Sequence, residues 1–295
     1  MIKTEWKKTI FSIDFLIAVL LLYIVFLCGK GGQELTGEDT LSILRVLLGR
    51  LRHRQMVSEM EEWAVPHMLG IWWDNIYLPM VAPVIFGLPF ISKYVEEVKS
   101  QNKRLILIRT GFSGYYRAKV VSVLLTGCLI AFFAVLLYDA TLFLFFERIS
   151  ALDKEERELC YSLVSEHVTS YAGVCLTVLK SNLHFMLYGM ICEAEIFLLT
   201  VLSRDRYITL GTSILTTYIQ CRLVQELSTK GFEEQNEFLQ KLSQFFSPVF
   251  LGYAGRYGIY QNREWAAVLV AGGVIGFCFS MVFIYYKKQS DISER

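Results

Sequence analysis

The sequence predicts an all-α, polytopic membrane protein with six transmembrane helices, cytoplasmic N- and C-termini, and amphipathic or re-entrant helices on the outer side. Composition indicates this, because 54% of the 295 residues are hydrophobic and only 19% are charged, more apolar surface than a soluble domain usually buries. Length indicates it too, since several apolar runs reach the roughly 20 residues that cross a hydrocarbon core of about 30 Å. We expect one transmembrane domain over residues 1–295, in the cell membrane.

The charge distribution supports this layout independently of hydropathy. The predicted cytoplasmic segments contain 15 of the 29 basic residues but only six of the 28 acidic residues, as the positive-inside rule requires. The spans cover about residues 10–27, 76–91, 120–146, 183–202, 207–227 and 265–286, with outer segments at 29–74, 147–180 and 228–264 and a central cytoplasmic segment at 94–119.

The first span follows three lysines, Lys3, Lys7 and Lys8, which place the N-terminus in the cytoplasm. Its end lacks the small residues of a signal cleavage site, so we expect the span to be retained. In the outer segment that follows, leucines recur at helical spacing between Leu41 and Leu51, with arginines between them. This pattern predicts an amphipathic helix that lies on lipid or on a neighbouring helix.

Spans two and three each carry a feature that strains a straight helix. Span two contains Pro79, Pro83 and Pro89, and because proline removes a backbone donor we expect a bent or interrupted helix packed inside the protein. Span three would be about 40 Å long, which exceeds the hydrocarbon core. It is therefore expected to tilt, or to break near Tyr138 and Asp139.

Spans four and five carry the polar residues of the membrane interior. Glu193 lies near the middle of span four, where an ionised acid costs on the order of 2.5–3.5 kcal/mol. Such a residue usually has a partner, and Arg222 on span five is the candidate, with Gln220 close by in the sequence and Glu195 on a different face of span four. Two interpretations remain open: a structural ion pair or neutral, hydrogen-bonded acid, and a direct role with substrate or proton.

The segment before span six predicts a polar helix near residues 232–246 and then a short apolar element at 247–251. That element is too short to cross the membrane and suits a re-entrant or interfacial position. Lys287 and Lys288 end span six and return the C-terminus to the cytoplasm.

The cysteines and the nucleotide motifs exclude two kinds of site. Seven cysteines show no metal-ligand spacing, so we expect no metal. Cys160 and Cys175 fall in one outer loop and form a possible disulfide if the compartment is oxidising. The chain lacks the GxxxxGK[ST] pattern, so we expect no P-loop and no cofactor in this chain. Any nucleotide-driven work would need a partner.

The central segment, residues 94–119, is too charged to lie in lipid. Together with Lys93 it contains seven of the 29 basic residues, and Arg104, Leu107 and Arg109 belong to a basic amphipathic helix at the inner surface. Two interpretations remain open for it: binding of anionic lipid headgroups by a juxtamembrane basic stretch, and docking onto a cytoplasmic protein.

A serine motif lies in the same segment. Gly111, Phe112, Ser113 and Gly114 match the GxSG pattern of rhomboid intramembrane proteases. A serine nucleophile needs a base within hydrogen-bond reach. The histidines, however, fall in outer segments or at the outer end of span four, whereas Ser113 is cytoplasmic. We interpret the motif as a turn before span three.

The central segment resembles the permease subunit of type-2 ATP-binding-cassette (ABC) exporters. In that family a cytoplasmic helix with an acidic residue is followed by a Gly-x-Ser-type turn, a tyrosine and a lysine that lead into span three. The matching positions here are Glu97, next to Glu96, and Leu107, Gly111, Ser113, Tyr116 and Lys119. The six spans, the inside termini and the apolar element at 247–251 are also similar to the family.

The resemblance implies a transport subunit without an ATPase motif, in a bacterial plasma membrane. It would couple through residues 94–119 to a separate ATPase subunit that binds ATP and Mg²⁺, pair with a second permease copy or a sister permease, and contact membrane lipid. The implied substrate is amphipathic: a peptide, an antibiotic or a lipid. No nucleic acid is expected as a partner.

Two other classes of function remain as hypotheses. The first is a non-transporting membrane scaffold or sensor that recruits a cytoplasmic partner through its basic loop. The second is an intramembrane hydrolase that uses Ser113, for which the sequence offers no base on the correct side.

Overall fold

The chain folds as a set of α-helices. A computed structural model describes residue 7 and residues 9–29, 43–44, 47–48, 78–100, 102–145, 170–246 and 264–293. Within these ranges there is no strand, which confirms the all-α prediction. The helices are α1 (Ile13–Leu27), α2 (Leu78–Lys99), α3 (Asn102–Phe145), α4 (Tyr171–Ser203), α5 (Arg206–Glu233), α6 (Glu237–Phe246) and α7 (Glu264–Ser293).

Four stretches of these helices are long and apolar enough to cross a membrane: Leu78–Lys99, Ile106–Phe145, Val178–Ser203 and Val268–Lys287. They correspond to predicted spans two, three, four and six, and their length and composition fit a helical membrane protein. Predicted span one corresponds to α1, whose 15 residues extend only about 22 Å. Predicted span five corresponds to α5, which is long enough but too polar to count among these apolar stretches. Six spans and the orientation of the termini therefore stay predictions.

The half of the bundle distant from residues 94–119 has an aromatic core shared by α1 to α4. Phe26 of α1 packs edge-on against Tyr138 of α3 and Phe185 of α4, with ring centroids 5.9 and 5.4 Å apart. Asp139 accepts a hydrogen bond from the side chain of Asn182 at 2.9 Å. Helix α3 continues through Tyr138 and Asp139, which excludes the break there and leaves the predicted tilt as the alternative.

The prolines do not interrupt the second span, because α2 is one helix from Leu78 to Lys99. Pro79 lies in the first turn, where its missing N–H has no helical partner to lose. Pro83 and Pro89 lie inside the helix and are buried. Neighbouring helices can support such sites in a membrane protein. Of the predicted bent or interrupted helix, the interruption is thus excluded, and the predicted packing inside the protein is confirmed.

Helix α4 begins about twelve residues before the predicted start of span four. Ser170 caps it by accepting a hydrogen bond from the N–H of Gly173 at 3.2 Å, and Arg204 ends it in the left-handed conformation with φ 55°. Helix α5 likewise continues to Glu233. The chain then turns at Gln235 and α6 folds back, so the polar helix predicted near 232–246 starts only at Glu237. The apolar element at 247–251 lies outside the described residues.

The predicted outer segment at 29–74 is described at Gly29 and at four further residues. Ile43, Leu44, Leu47 and Leu48 are helical, and Ile43 and Leu47 are buried in the same core as α1. The predicted amphipathic helix therefore rests on a neighbouring helix at these positions.

Candidate functional site

Helix α3 has two parts that meet at a sharp turn. Gly111 has φ 69° and ψ 161°, a combination close to glycine-only backbone space. A Cβ at this position would meet no atom within 4 Å. The glycine is therefore required by backbone conformation and not by space. It separates a short amphipathic piece from the long transmembrane piece, as the predicted turn requires.

The end of α2 is joined to α3 just after this turn by a buried polar group of three residues. Glu97 of α2 accepts a hydrogen bond from the Tyr115 hydroxyl at 2.8 Å through Oε1 and one from the Lys119 ammonium at 2.5 Å through Oε2. The side chains of Lys119 and Glu97 are only 5% and 12% exposed. Because both carboxylate oxygens have donors, the charge of Glu97 is compensated at its buried position.

A second set of contacts fixes the same turn to α7. The Tyr116 hydroxyl donates to the backbone carbonyl of Phe279 at 2.5 Å. Phe112 lies parallel to Tyr116, and its ring centroid is 5.5 Å from that of Phe283. Helices α2 and α7 are also joined, since the hydroxyls of Tyr94 and Tyr286 are hydrogen-bonded. The turn is thus held between α2 and α7.

The other side of residues 94–119 is exposed on the surface of the protein. Ile108 is 82% exposed, and Glu96, Arg109 and Ser113 are exposed as well, whereas Leu107 is half-buried. The side chain of Arg104 lies outside the described residues. The predicted coupling residues therefore fall into an inward group (Glu97, Tyr116 and Lys119) and an outward group (Glu96, Arg109 and Ser113), with Gly111 forming the turn.

Sequence reasoning missed the inward partners Tyr115, Phe112 and Phe279. The four-residue spacing of Phe112 and Tyr116 is a sequence signal that the two side chains share a helix face. Phe279 is 163 residues from Tyr116 in sequence, and no local pattern connects them. Ser113 has no hydrogen-bonded base among the described residues, and His184, the histidine within them, has its Nδ1 2.8 Å from the Lys180 carbonyl oxygen.

Glu193 is fully buried where α3 and α4 cross. Its exposure is 0%, and within the described part of the chain neither carboxyl oxygen has a hydrogen-bond partner. A Cβ on Gly127 of α3 would come within 2.8 Å of the Glu193 Cγ, and one on Gly189 within 2.5 Å of the Gly127 carbonyl oxygen. The two glycines bring the helix backbones together and leave room for the carboxyl.

The predicted ion pair between Glu193 and Arg222 is wrong. Arg222 lies on an exposed face of α5, where its guanidinium donates to the side-chain oxygen of Gln225 at 3.4 Å. Glu193 instead faces α3. The sequence places Glu193 and Arg222 at nearby depths in the predicted membrane, but the two side chains lie on helix faces that do not meet. Gln220 and Glu195 are half-buried.

The turn between α4 and α5 lies at the same end of the bundle as residues 94–119. The backbone N–H groups of Ile208 and Tyr207 donate to Asp205 and lower the pKa of its carboxyl. Arg204 donates to the Tyr285 hydroxyl at 2.9 Å, which ties this turn to α7. At this end of the bundle, α2, α4, α7 and the turn of α3 are thus connected by side-chain hydrogen bonds.

Of the two cysteines in the possible disulfide, the structure describes Cys175. Cys175 is exposed on α4 and forms no disulfide with a described residue. Cys160 lies outside the described residues, so the pairing stays a prediction.

Comparisons with protein families, with curated proteins and with solved structures find no match to this chain. The fold and site fit one class: an all-helical protein with four candidate membrane-spanning stretches among the described residues, whose central charged segment has an exposed face and a face bonded into the bundle.

Proposed function

We propose that this chain is the permease subunit of a type-2 ABC-like exporter, driven by a separate ATPase that docks on residues 94–119. One observation carries the proposal: this segment presents exposed residues on one side and is bonded to α2 and α7 on the other. A force applied to the exposed side is therefore passed to two helices of the bundle. The ATP and Mg²⁺ belong to the partner, and a bacterial plasma membrane is the proposed location.

The exposed side suits a protein partner. Ile108 projects a large apolar side chain that is 82% exposed, next to the exposed Arg109. An apolar anchor beside basic residues fits a groove with an acidic rim, because buried anchors and complementary charges are typical of interfaces. A membrane surface could use the same two residues, with Arg109 at the headgroups and Ile108 in the acyl region, and crosslinking from position 108 distinguishes lipid from protein.

The bonded side suits transmission of movement. Glu97, Tyr115 and Lys119 attach α2 to the start of the transmembrane part of α3, and Tyr116 attaches it to α7. Packed elements of this kind move as units, since interiors are dense and resist local deformation. ATP-driven closure of the docked ATPase would therefore reorient α2, α3 and α7 together.

Helix α5 supports the pathway for an amphipathic substrate. Its buried residues include three small hydroxyl side chains one turn apart: Thr209, Ser213 and Thr217. Its exposed face carries large apolar side chains, among them Leu215 at 56% and Leu223 at 54% exposure. Large apolar residues outside and small polar ones inside suit a helix surrounded by lipid. We propose that α5 is span five and that its polar face, with Gln220, lines or braces the path.

Helix α7 supports pairing with a second permease copy or a sister permease. The apolar window of α7 is 22% buried within the chain, against 50% to 67% for the other three long apolar stretches. A Cβ at Gly272, Gly273 or Gly276 would meet nothing within 4 Å. A stripe of small residues lets another helix approach closely in lipid, and this face is where the proposed second copy packs.

The proposal is tested by co-purification from the native host in mild detergent. We expect an ATP-binding protein to accompany the wild-type chain and to be reduced at least tenfold with Ile108→Asp. Phe238→Asp is the matched control, because Phe238 on α6 is also an exposed large apolar residue, at 68%, and lies on the predicted outer side. If no ATP-binding protein accompanies the wild type, or if both variants behave alike, the exporter proposal fails.

The scaffold or sensor is the second candidate, and the same exposed side of residues 94–119 favours it. It predicts that a cytoplasmic protein without ATPase activity is recovered with the wild type and lost with Ile108→Asp. The identity of the recovered protein therefore distinguishes the two candidates.

A further inference from the structure

An ionised Glu193 would need a positive charge beside it, and the described residues do not provide one. Its side chain is fully buried, and it lies ten residues from the end of α4 at Ser203, a depth of about 15 Å, which is half of a hydrocarbon core. Both carboxyl oxygens lack a hydrogen-bond partner among the described residues. An isolated carboxylate in such surroundings is costly, whereas a neutral acid is far less so.

The basic residues on the helices around Glu193 have other interactions. Lys119 of α3 is bonded to Glu97, and Arg222 of α5 is exposed and bonded to Gln225. Lys180 of α4, at the other end of the bundle, has interactions of its own. Within the described residues, protein side chains therefore supply no counter-charge to Glu193.

The other titratable side chains of the interior include one potential cation, His184 of α4. Its Nδ1 is 2.8 Å from the Lys180 carbonyl oxygen, and nine residues of helix, about 13 Å, separate it from Glu193. The others are Tyr94 on α2, Tyr115, Cys128, Tyr138 and Asp139 on α3, Cys221 on α5, Cys278 and Tyr286 on α7, and Tyr188, Cys192 and Glu195 on α4 itself. Thiols and phenols are neutral near pH 7. Glu195 and Asp139 are acids and supply no positive charge either.

A metal ion does not suit the site. Calcium and magnesium need six or more oxygen ligands, and the described residues contain no group of three His, Cys, Asp or Glu side chains arranged to hold a metal. The space is also closed, since a Cβ on Gly127 would lie 2.8 Å from the Glu193 Cγ. The proton is the cation that needs neither further ligands nor further space.

We propose that Glu193 is a proton-binding site enclosed by the Gly127–Gly189 crossing of α3 and α4. The carboxylate binds one proton to become a carboxylic acid while the two helices are in contact. Separation of the helices at the glycines would expose the carboxyl to water and release the proton to solvent. The inference stands independently of the proposed ATPase partner.

Infrared difference spectroscopy of the purified full-length chain at pH 7 tests the proposal, because the C=O stretch of a carboxylic acid is separate from the bands of a carboxylate. We expect the wild-type minus Glu193→Gln spectrum to show the loss of one acid C=O band per chain. Glu195→Gln is the control and should retain that band. Loss of a carboxylate band instead, or no loss of an acid band, would overturn the proposal.

Glu193→Asp provides the second variant, in case Glu193→Gln folds poorly. It keeps an acid at the site but shortens the side chain, so the acid band should shift in frequency and remain. A spectrum in which this variant shows no acid band at the site contradicts an enclosed proton.

Discussion

The carboxylate of Glu97 and the ammonium of Lys119 are 2.5 Å apart and almost completely buried. This pair joins the end of α2 to α3 eight residues beyond the Gly111 turn. With Tyr115, it is the described contact that joins α2 to the part of α3 beyond the turn. Breaking it without breaking the fold is therefore the first way to examine coupling.

Lys119→Met should destabilise the protein by roughly 3–5 kcal/mol, because it leaves a buried carboxylate with one donor fewer. Adding Glu97→Gln in the same chain should restore most of that loss, since the uncompensated charge is then absent. Thermal unfolding in detergent measures both. Lys241→Met is the control: its ion pair with Glu237 is exposed at 64% and 82%, and such pairs contribute at most about 1 kcal/mol.

Gly111→Ala should strain the turn in α3 by on the order of 1–3 kcal/mol through its positive φ alone, because an added Cβ meets no atom within 4 Å. Gly114→Ala is a matched control three residues away. That position is helical, its Cβ would have only an ordinary 3.6 Å contact with Thr110, and alanine is favoured there by about 0.5–1 kcal/mol. Equal effects of the two substitutions on the unfolding temperature would argue against a strained turn.

Gly127→Ala and Gly189→Ala should each destabilise the crossing of α3 and α4 strongly, by several kcal/mol on the scale of overpacked cores. The added Cβ at Gly189 would lie 2.5 Å from a backbone oxygen, which cannot move aside as a flexible side chain does. Gly211→Ala, where nothing lies within 4 Å, should have little effect. Retention of the wild-type unfolding temperature by Gly189→Ala would show that the helices do not cross this closely.

Asp205 predicts a pH dependence at the turn between α4 and α5. Hydrogen bonds from Ile208 and Tyr207 lower the pKa of this carboxyl, so its contribution to stability is present above the unfolded pKa of about 3.9. It is lost as the pH falls through the folded pKa. Asp205→Asn retains a capping side chain but cannot ionise. Unfolding temperatures from neutral pH down to about pH 3 should therefore fall more steeply for the wild type than for Asp205→Asn, and parallel curves would contradict the role of the charge.

The sequence predicted the elements more reliably than their contacts. Apolar runs and flanking lysines located the helices, because both depend on composition along the chain. The start of α4 was missed, since Lys180, Ser181 and Asn182 interrupt the apolar run although the helix continues beyond the hydrophobic stretch to Tyr171. An apolar run indicates which residues suit the hydrocarbon core, whereas the helix itself can extend beyond that run.

The site shows the same limit. Glu97, Tyr116 and Lys119 were identified from the pattern around the turn, but their inward direction depends on α2 and α7. The wrong pairing of Glu193 with Arg222 arose because hydropathy gives depth in the membrane and not the helix face. Gly127 and Gly189, which are 62 positions apart, give no sign in the sequence that they meet.

A photo-crosslinking amino acid at position 108, activated in membranes of the native host, tests the central claim most directly. The account predicts a covalent adduct with an ATP-binding protein from position 108 and none from position 238 on the opposite predicted side. An adduct with lipid alone, or with a protein that binds no ATP, would contradict an ATPase docked on residues 94–119.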